Sequence, residues 1–188
     1  MSAALVVVDM QVVFARPDSP WAAPGFDAAA ANLRRLLPVF AGRTVWTRYV
    51  APRAPEGAWR EYFAQWPFAL VAPDDPLYGF ADGLDPAGAP VVTATTFGKW
   101  GPELDAATRH ADELVVAGVS TDCCVLSTVL PAADAGRRVR VVADACAGAS
   151  DADHARALDA MRLYAPLVEV TTVDEVLAGV LGAERGTA

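Results

Sequence analysis

An aspartate, a lysine and a cysteine in this chain each stand at or just after an apolar, strand-like run, and together they could carry out acyl transfer. Asp9 closes Ala4-Leu5-Val6-Val7-Val8, and Lys99 follows Val91-Val92-Thr93. Cys124 follows Leu114-Val115-Val116-Ala117 by way of Gly118-Val119-Ser120-Thr121-Asp122-Cys123. A thiol attacks a carbonyl once its proton has gone, so it needs a base, and a carboxylate beside a cation can serve. The ammonium would stabilise both anions, and the carboxylate could pass the proton to a leaving amine. Residues 114–130 read as a buried strand, a tight turn and the start of a helix over 122–135, with the thiol at the turn. There the thiol meets unpaired backbone N–H groups and the positive end of the helix, which favour thiolate over thiol. The same N–H groups could bind the oxyanion of a tetrahedral intermediate. Packing is the alternative for Cys123, Cys124 and Cys146, because free cysteines are commonly small core residues. Asp9, for its part, could be a cap or turn former.

Residues so far apart meet only if the elements between them return each strand end to one edge. The pattern predicts strands over 4–8, 44–50, 91–97, 113–119, 139–144 and 167–170. It predicts helices over 26–40, 103–110, 122–135, 151–163 and 173–181, with Pro131 kinking the third. This alternation implies a three-layer α/β/α sandwich around a six-stranded, mainly parallel, doubly wound sheet, in one domain over residues 1–188. Parallel strands place their carboxyl ends, and so Asp9, Lys99 and Cys124, along one edge. Between 51 and 90 the pattern weakens into a loop rich in proline, glycine and aromatic residues, as expected of a lid, a binding loop or an interface. Its aromatics could equally pin it to the body. Phe14, Arg48, Trp59, Tyr62 and Trp100 are pocket candidates by position alone.

The composition narrows the partners. Hydrophobic content of 54% with 20% charged residues describes a chain that buries a core. A net charge of −8 argues against nucleic acid or an anionic membrane surface as a partner. No apolar run approaches the roughly 20 residues that span a bilayer, and the stretch from Met1 to Asp9 lacks the basic start of a secretory signal. Three cysteines, two of them adjacent, make no disulfide framework and suit a reducing cytoplasm. Lys99 is the only lysine among 15 basic residues, which asks what an arginine could not do there.

Asp9-Met10-Gln11 closing the first apolar run, together with Gly118-Val119-Ser120-Thr121-Asp122-Cys123-Cys124-Val125, resembles the isochorismatase-like cysteine hydrolases. That family includes nicotinamidases, N-carbamoylsarcosine amidohydrolases and ureidoacrylate hydrolases. The resemblance covers nearly the whole chain, including Asp144-Ala145-Cys146 and His154. It implies that Cys124, the cysteine just before a valine, is the nucleophile, with Cys123 its neighbour and Asp9 the general acid and base. It also implies a cis peptide between Val119 and Ser120 that aims an N–H into an oxyanion hole. The family's lysine lies at the end of the third strand, which puts Ala94 at its place here, whereas Lys99 stands five residues further on. Either Lys99 reaches back over the site, or it is a solvated surface residue and Arg48 is the next cation to consider.

Nicotinamidases of the family bind a metal through an aspartate and histidines after the second strand. Residues 48–66 contain no histidine, so neither a metal nor another cofactor is expected. Family members commonly form dimers or tetramers, implying a homodimer or homotetramer in which the 51–90 loop helps complete a pocket for a small-molecule substrate. The activity implied is metal-independent hydrolysis of a C–N bond in a small amide through a thioester. Vinyl-ether hydrolysis of the isochorismatase type is the alternative chemistry. A family member that binds a small molecule without catalysis is the alternative that the displaced lysine suggests.

Overall fold

The valine-rich runs are strands because a fully buried strand needs apolar side chains on both faces, and β-branched residues fit that pleated surface. In β1 (Ala3–Val8) every residue from Ala4 to Val8 is buried. The structure, a computed structural model, describes residues 2–185, with side chains described as far as residue 179. Met1, the first residue of the stretch read for a secretory signal, and residues 186–188 lie outside the described residues.

Six parallel strands form one sheet in the order β3-β2-β1-β4-β5-β6. The other strands are β2 (Thr44–Tyr49), β3 (Val91–Ala94), β4 (Glu113–Val119), β5 (Arg138–Ala147) and β6 (Val168–Thr171). Alternate residues of β1 feed two cores. Leu5 and Val7 face a layer containing α2 (Phe26–Leu36) and α7 (Val173–Arg185). Val6 and Val8 face α4 (Pro102–Thr108), α5 (Leu126–Asp134) and α6 (Asp151–Arg162). Among the described residues no helix is long and apolar enough to cross a membrane.

The chain starts in the middle of the sheet, moves outward through β2 and β3, then crosses back to β4. Strand order therefore reverses between β1 and β4, and open α/β sheets leave a crevice at the carboxyl ends of such a pair. Asp9 follows one of these strands and Cys124 the other.

Three departures from the sequence pattern bear on that crevice. The third strand stops at Ala94 rather than near Phe97, freeing residues 95–99 to turn back toward the sheet. The cysteine helix does not begin as an α-helix. Thr121–Val125 form one wide π turn in which the Leu126 N–H reaches the Thr121 carbonyl, and α5 follows. Finally, the 51–90 segment is not one irregular loop. It holds α3 (Trp59–Gln65) and two 3-10 turns, Pro67–Ala69 and Pro76–Tyr78, while a four-residue helix, α1 (Val12–Ala15), follows β1. Phe63 and Tyr78 are buried, and Trp59, Tyr62, Phe68 and Phe80 pack against the same core.

Gly118 sets how closely β1 and β4 approach at the crevice. It pairs with Val8 and has φ of 126°. A Cβ at this position would lie 2.1 Å from the Val8 carbonyl oxygen and 2.7 Å from its nitrogen. Neither backbone atom can move without moving Asp9. Gly118→Ala is expected to destabilise the fold by about 3 kcal/mol or more, since strained dihedrals and a core overlap add. Urea denaturation against the parent protein checks this.

Candidate active site

Asp9 is the innermost group. It is fully buried, with φ of 48°, a left-handed conformation that aspartate tolerates better than most residues. Thr47 on β2 donates its hydroxyl to Asp9 Oδ1 at 2.6 Å and accepts the Asp9 N–H at 3.2 Å. Asp9 Oδ2 lies 2.9 Å from Lys99 Nζ, with both side chains wholly withdrawn from solvent, and has no aligned hydrogen-bond donor. Lys99 Nζ also donates to the carbonyls of Thr96 at 2.6 Å and Phe97 at 2.9 Å.

Lys99 reaches Asp9 because its segment docks on the first turn of α5. Pro131 lacks the N–H that would bond the Ser127 carbonyl four residues before it. Gly98 comes up against that carbonyl so closely that a Cβ would sit 2.5 Å from its oxygen. The next N–H, that of Lys99, donates to Thr128 Oγ1 at 3.0 Å, and the same hydroxyl donates to the Cys124 carbonyl at 2.6 Å. One threonine thus ties the lysine segment to the cysteine turn. Lys99 is therefore not a solvated surface lysine. Arg48 stays in register beside Thr93, forms no ion pair among the described residues and does not line the cavity.

Cys124 is buried at the end of the crevice. Its thiol is pushed well above the ordinary thiol range, chiefly by burial and then by the nearby Asp9 carboxylate; Lys99 pulls the other way. Burial and Asp9 thus work against the thiolate that the start of the helix was expected to favour. Desolvation of a thiolate outweighs both the lysine and the helix start, which in any case is a π turn. The peptide bond between Val119 and Ser120 is cis. The Ser120 carbonyl accepts the N–H groups of Cys123 at 3.2 Å and Val125 at 3.0 Å, closing the turn around Cys124. Cys146 is buried against the second core, its thiol pushed up to about 12 by burial, and is a packing residue.

A cavity of about 400 Å³ opens above Cys124. Phe14, Tyr62, Ser120, Cys123 and Cys124 line it. Trp59 and Trp100 do not. Trp59 stands behind the wall, its ring 5.3 Å from both Tyr62 and Phe97, whereas Trp100 lies on the other core with the Arg137 guanidinium 5.8 Å from its ring. Sequence reasoning missed Trp21, Tyr49, Trp66, Phe97 and Asp122 in the wall. Trp21 is the hub, with ring centroids 5.1–6.3 Å from Phe14, Tyr49, Tyr62, Trp66 and Phe68. Tyr49 is held from behind by buried Gln11, whose amide donates to the carbonyls of Tyr49 and Tyr78 and accepts the Tyr49 N–H at 2.7 Å. Among the described residues no three His, Cys, Asp or Glu side chains come together as a metal site, and the loop after β2 offers no such donor set.

Set beside known proteins, residues 3–175 match the isochorismatase domain family. The chain belongs to that family. A curated relative, isochorismatase domain-containing protein 2 of Xenopus laevis, is 37% identical over 93 residues, 48% of this chain and 44% of the relative. The match thus spans less than half the length of that relative. A cysteine hydrolase from Pseudomonas syringae pv. phaseolicola is 23% identical with a TM-score of 0.85, covering 97% of this chain and 93% of that one. An N-carbamoylsarcosine amidase from Thermoplasma acidophilum is 24% identical with a TM-score of 0.74, covering 93% and 98%. Both share the fold of this isochorismatase-family chain.

Two predictions follow from the buried groups. Lys99→Met leaves the Asp9 charge without a counter-ion and is expected to cost about 3–5 kcal/mol, whereas Asp9→Asn combined with Lys99→Met recovers much of that loss. Denaturant midpoints of the two single variants and the double variant test it. His154 on α6 accepts a hydrogen bond at Nδ1 from Thr121 Oγ1 at 2.8 Å when its ring is neutral, and burial holds its pKa below the ordinary 6.5. The unfolded chain therefore takes up this proton before the folded one. Stability should fall as pH drops from about 7.5 to about 5.5, and fall less in His154→Gln. Chemical denaturation at the two pH values measures the difference.

Proposed function

We propose that this protein is a cysteine hydrolase that cleaves the C–N bond of a small amide through a thioester. The observation that carries the reading is the meeting of the Cys124 thiol with the buried Asp9–Lys99 pair at the end of a cavity large enough for a small molecule. Cys124 Sγ attacks the amide carbonyl while its proton passes to the Asp9 carboxylate. Because burial and the Asp9 carboxylate disfavour the thiolate, base and nucleophile act in one step. N–H groups of the turn from Ser120 to Cys124, other than that of Cys123, which the Ser120 carbonyl takes, would stabilise the oxyanion. As that intermediate collapses, Asp9 returns the proton to the departing nitrogen and an amine or ammonia leaves. A water molecule, deprotonated by Asp9, then attacks the thioester, and the proton goes back to sulfur as the acid is released. Lys99, 2.9 Å from Asp9 Oδ2, acts as the electrostatic partner of the carboxylate through these transfers.

The place of Lys99 beside Asp9 supports catalysis over ligand binding alone, since the displaced lysine was the feature that favoured a non-catalytic member. A panel of small primary amides, with ammonia release as the readout, tests the proposal. At least one amide should turn over, with kcat falling by about 10³-fold or more in Cys124→Ala and Asp9→Asn. Intact-mass spectrometry should show an acyl group on the parent enzyme that Cys124→Ala never carries. Turnover that survives Cys124→Ala would overturn the thioester mechanism.

A further inference from the structure

Beyond the reacting thiol, the cavity wall is strongly biased in charge. Six rings line it, those of Phe14, Trp21, Tyr49, Tyr62, Trp66 and Phe97. Phe14 and Trp21 lie nearly parallel at 13°, while Trp66 meets Trp21 at 66° and Phe97 meets Tyr62 at 82°, so the rings wall a box on several sides. Aromatic faces are electrically negative, and a cation over such faces is attracted to them. Among the described residues Asp122 is the one charged residue in the lining, with no lysine or arginine beside it. Its Oδ1 accepts the Ala149 N–H at 2.9 Å and its Oδ2 the Cys123 thiol at 3.5 Å, and neither donor carries a charge.

The neighbouring thiol registers this field. Cys123 is pushed up to about 12, first by burial and then by Asp122, with Asp153 adding to it. The Lys99 ammonium lies behind the wall, 5.3 Å from the Tyr49 ring centroid, and is already engaged by Asp9 and by the carbonyls of Thr96 and Phe97. A carboxylate in the box would meet ring faces and Asp122 with no cation free to pair with it. A neutral alkyl group would gain burial alone. A substituted ammonium would gain burial, ring attraction and a carboxylate counter-ion together.

We propose that the aromatic box binds a substituted ammonium group, so that the preferred substrate is a small cationic amide whose onium end lies among the rings opposite Asp122. This rests on the amidohydrolase reading only for the bond presented to Cys124; the box itself is argued from its own walls.

The test separates binding from turnover. Cys124→Ala protein, which forms no thioester, is titrated with betaine amide and with 3,3-dimethylbutanamide, the uncharged compound of the same shape, and with malonamate as the anion. Intrinsic fluorescence of Trp21 and Trp66 reports occupancy. Betaine amide should bind about tenfold more tightly than its neutral isostere, and malonamate more weakly than either. Adding Asp122→Asn, or separately Trp66→Leu, should shrink that preference to about threefold or less. Equal binding of cation and isostere, tighter binding of the anion, or no binding of betaine amide at millimolar concentration would overturn the inference. Ammonia release from the same amides by the parent enzyme is read alongside. Charge-selective binding without any turnover leaves the box standing and sinks the hydrolase reading, and turnover without charge preference does the reverse.

Discussion

The ion pair between Asp9 and Lys99 is the constraint from which the rest of the site takes its shape. Two charges removed from water are costly unless their remaining hydrogen-bonding positions are met. Thr47 serves one oxygen of Asp9, and the carbonyls of Thr96 and Phe97 take two protons of the ammonium, leaving the third side toward Asp9 Oδ2. Three acceptors converging on one point suit an ammonium, whereas a planar guanidinium would need a wider, forked set. That accounts for a lone lysine in a chain that otherwise uses arginine. The arrangement reaches outward from there. Gly98 must approach the Ser127 carbonyl, which is open to such an approach because Pro131 has no N–H to give it. A proline in one helix thus helps seat a lysine that belongs to a different strand end.

Dryness also decides the state of the sulfur. A site closed enough to keep Asp9 and Lys99 paired is closed enough to disfavour a third charge, and Cys124 remains a thiol until something accepts its proton. The unaligned Oδ2 of Asp9 supplies that acceptor. Sulfur, carboxylate and ammonium form one coupled unit with a net charge that stays constant as the proton moves within it.

The fold was legible because its elements are strongly periodic. Five-residue apolar runs separated by amphipathic helices leave little choice but a parallel doubly wound sheet, and Asp9 and Cys124 mark the ends of its two central strands. Lys99 was harder to place. Strand propensity continues through residues 95–97, yet the chain leaves the sheet at Ala94, and the cause, docking on α5, lies some thirty residues away in Ser127 and Pro131. The cavity wall was least legible. Trp21, Tyr49, Trp66 and Phe97 come from four separate segments and share no local spacing. Position relative to a strand end suggested Arg48, Trp59 and Trp100 instead, but being near the right edge of a sheet does not settle which way a side chain faces. The turn at Thr121–Val125 departs from α-geometry for a similar reason, since both Cys123 and Val125 converge on the Ser120 carbonyl.

The burial of the single lysine has a consequence for the protein's surface. Within these 188 residues every other basic side chain apart from the two histidines is an arginine, so the folded domain shows solvent no lysine amine at all. Lysine-directed acylation, cross-linking or conjugation finds its target only when the crevice opens. The residue that holds the site together is therefore also a built-in reporter of its integrity, silent to amine reagents while the domain is closed and reactive as soon as it comes apart.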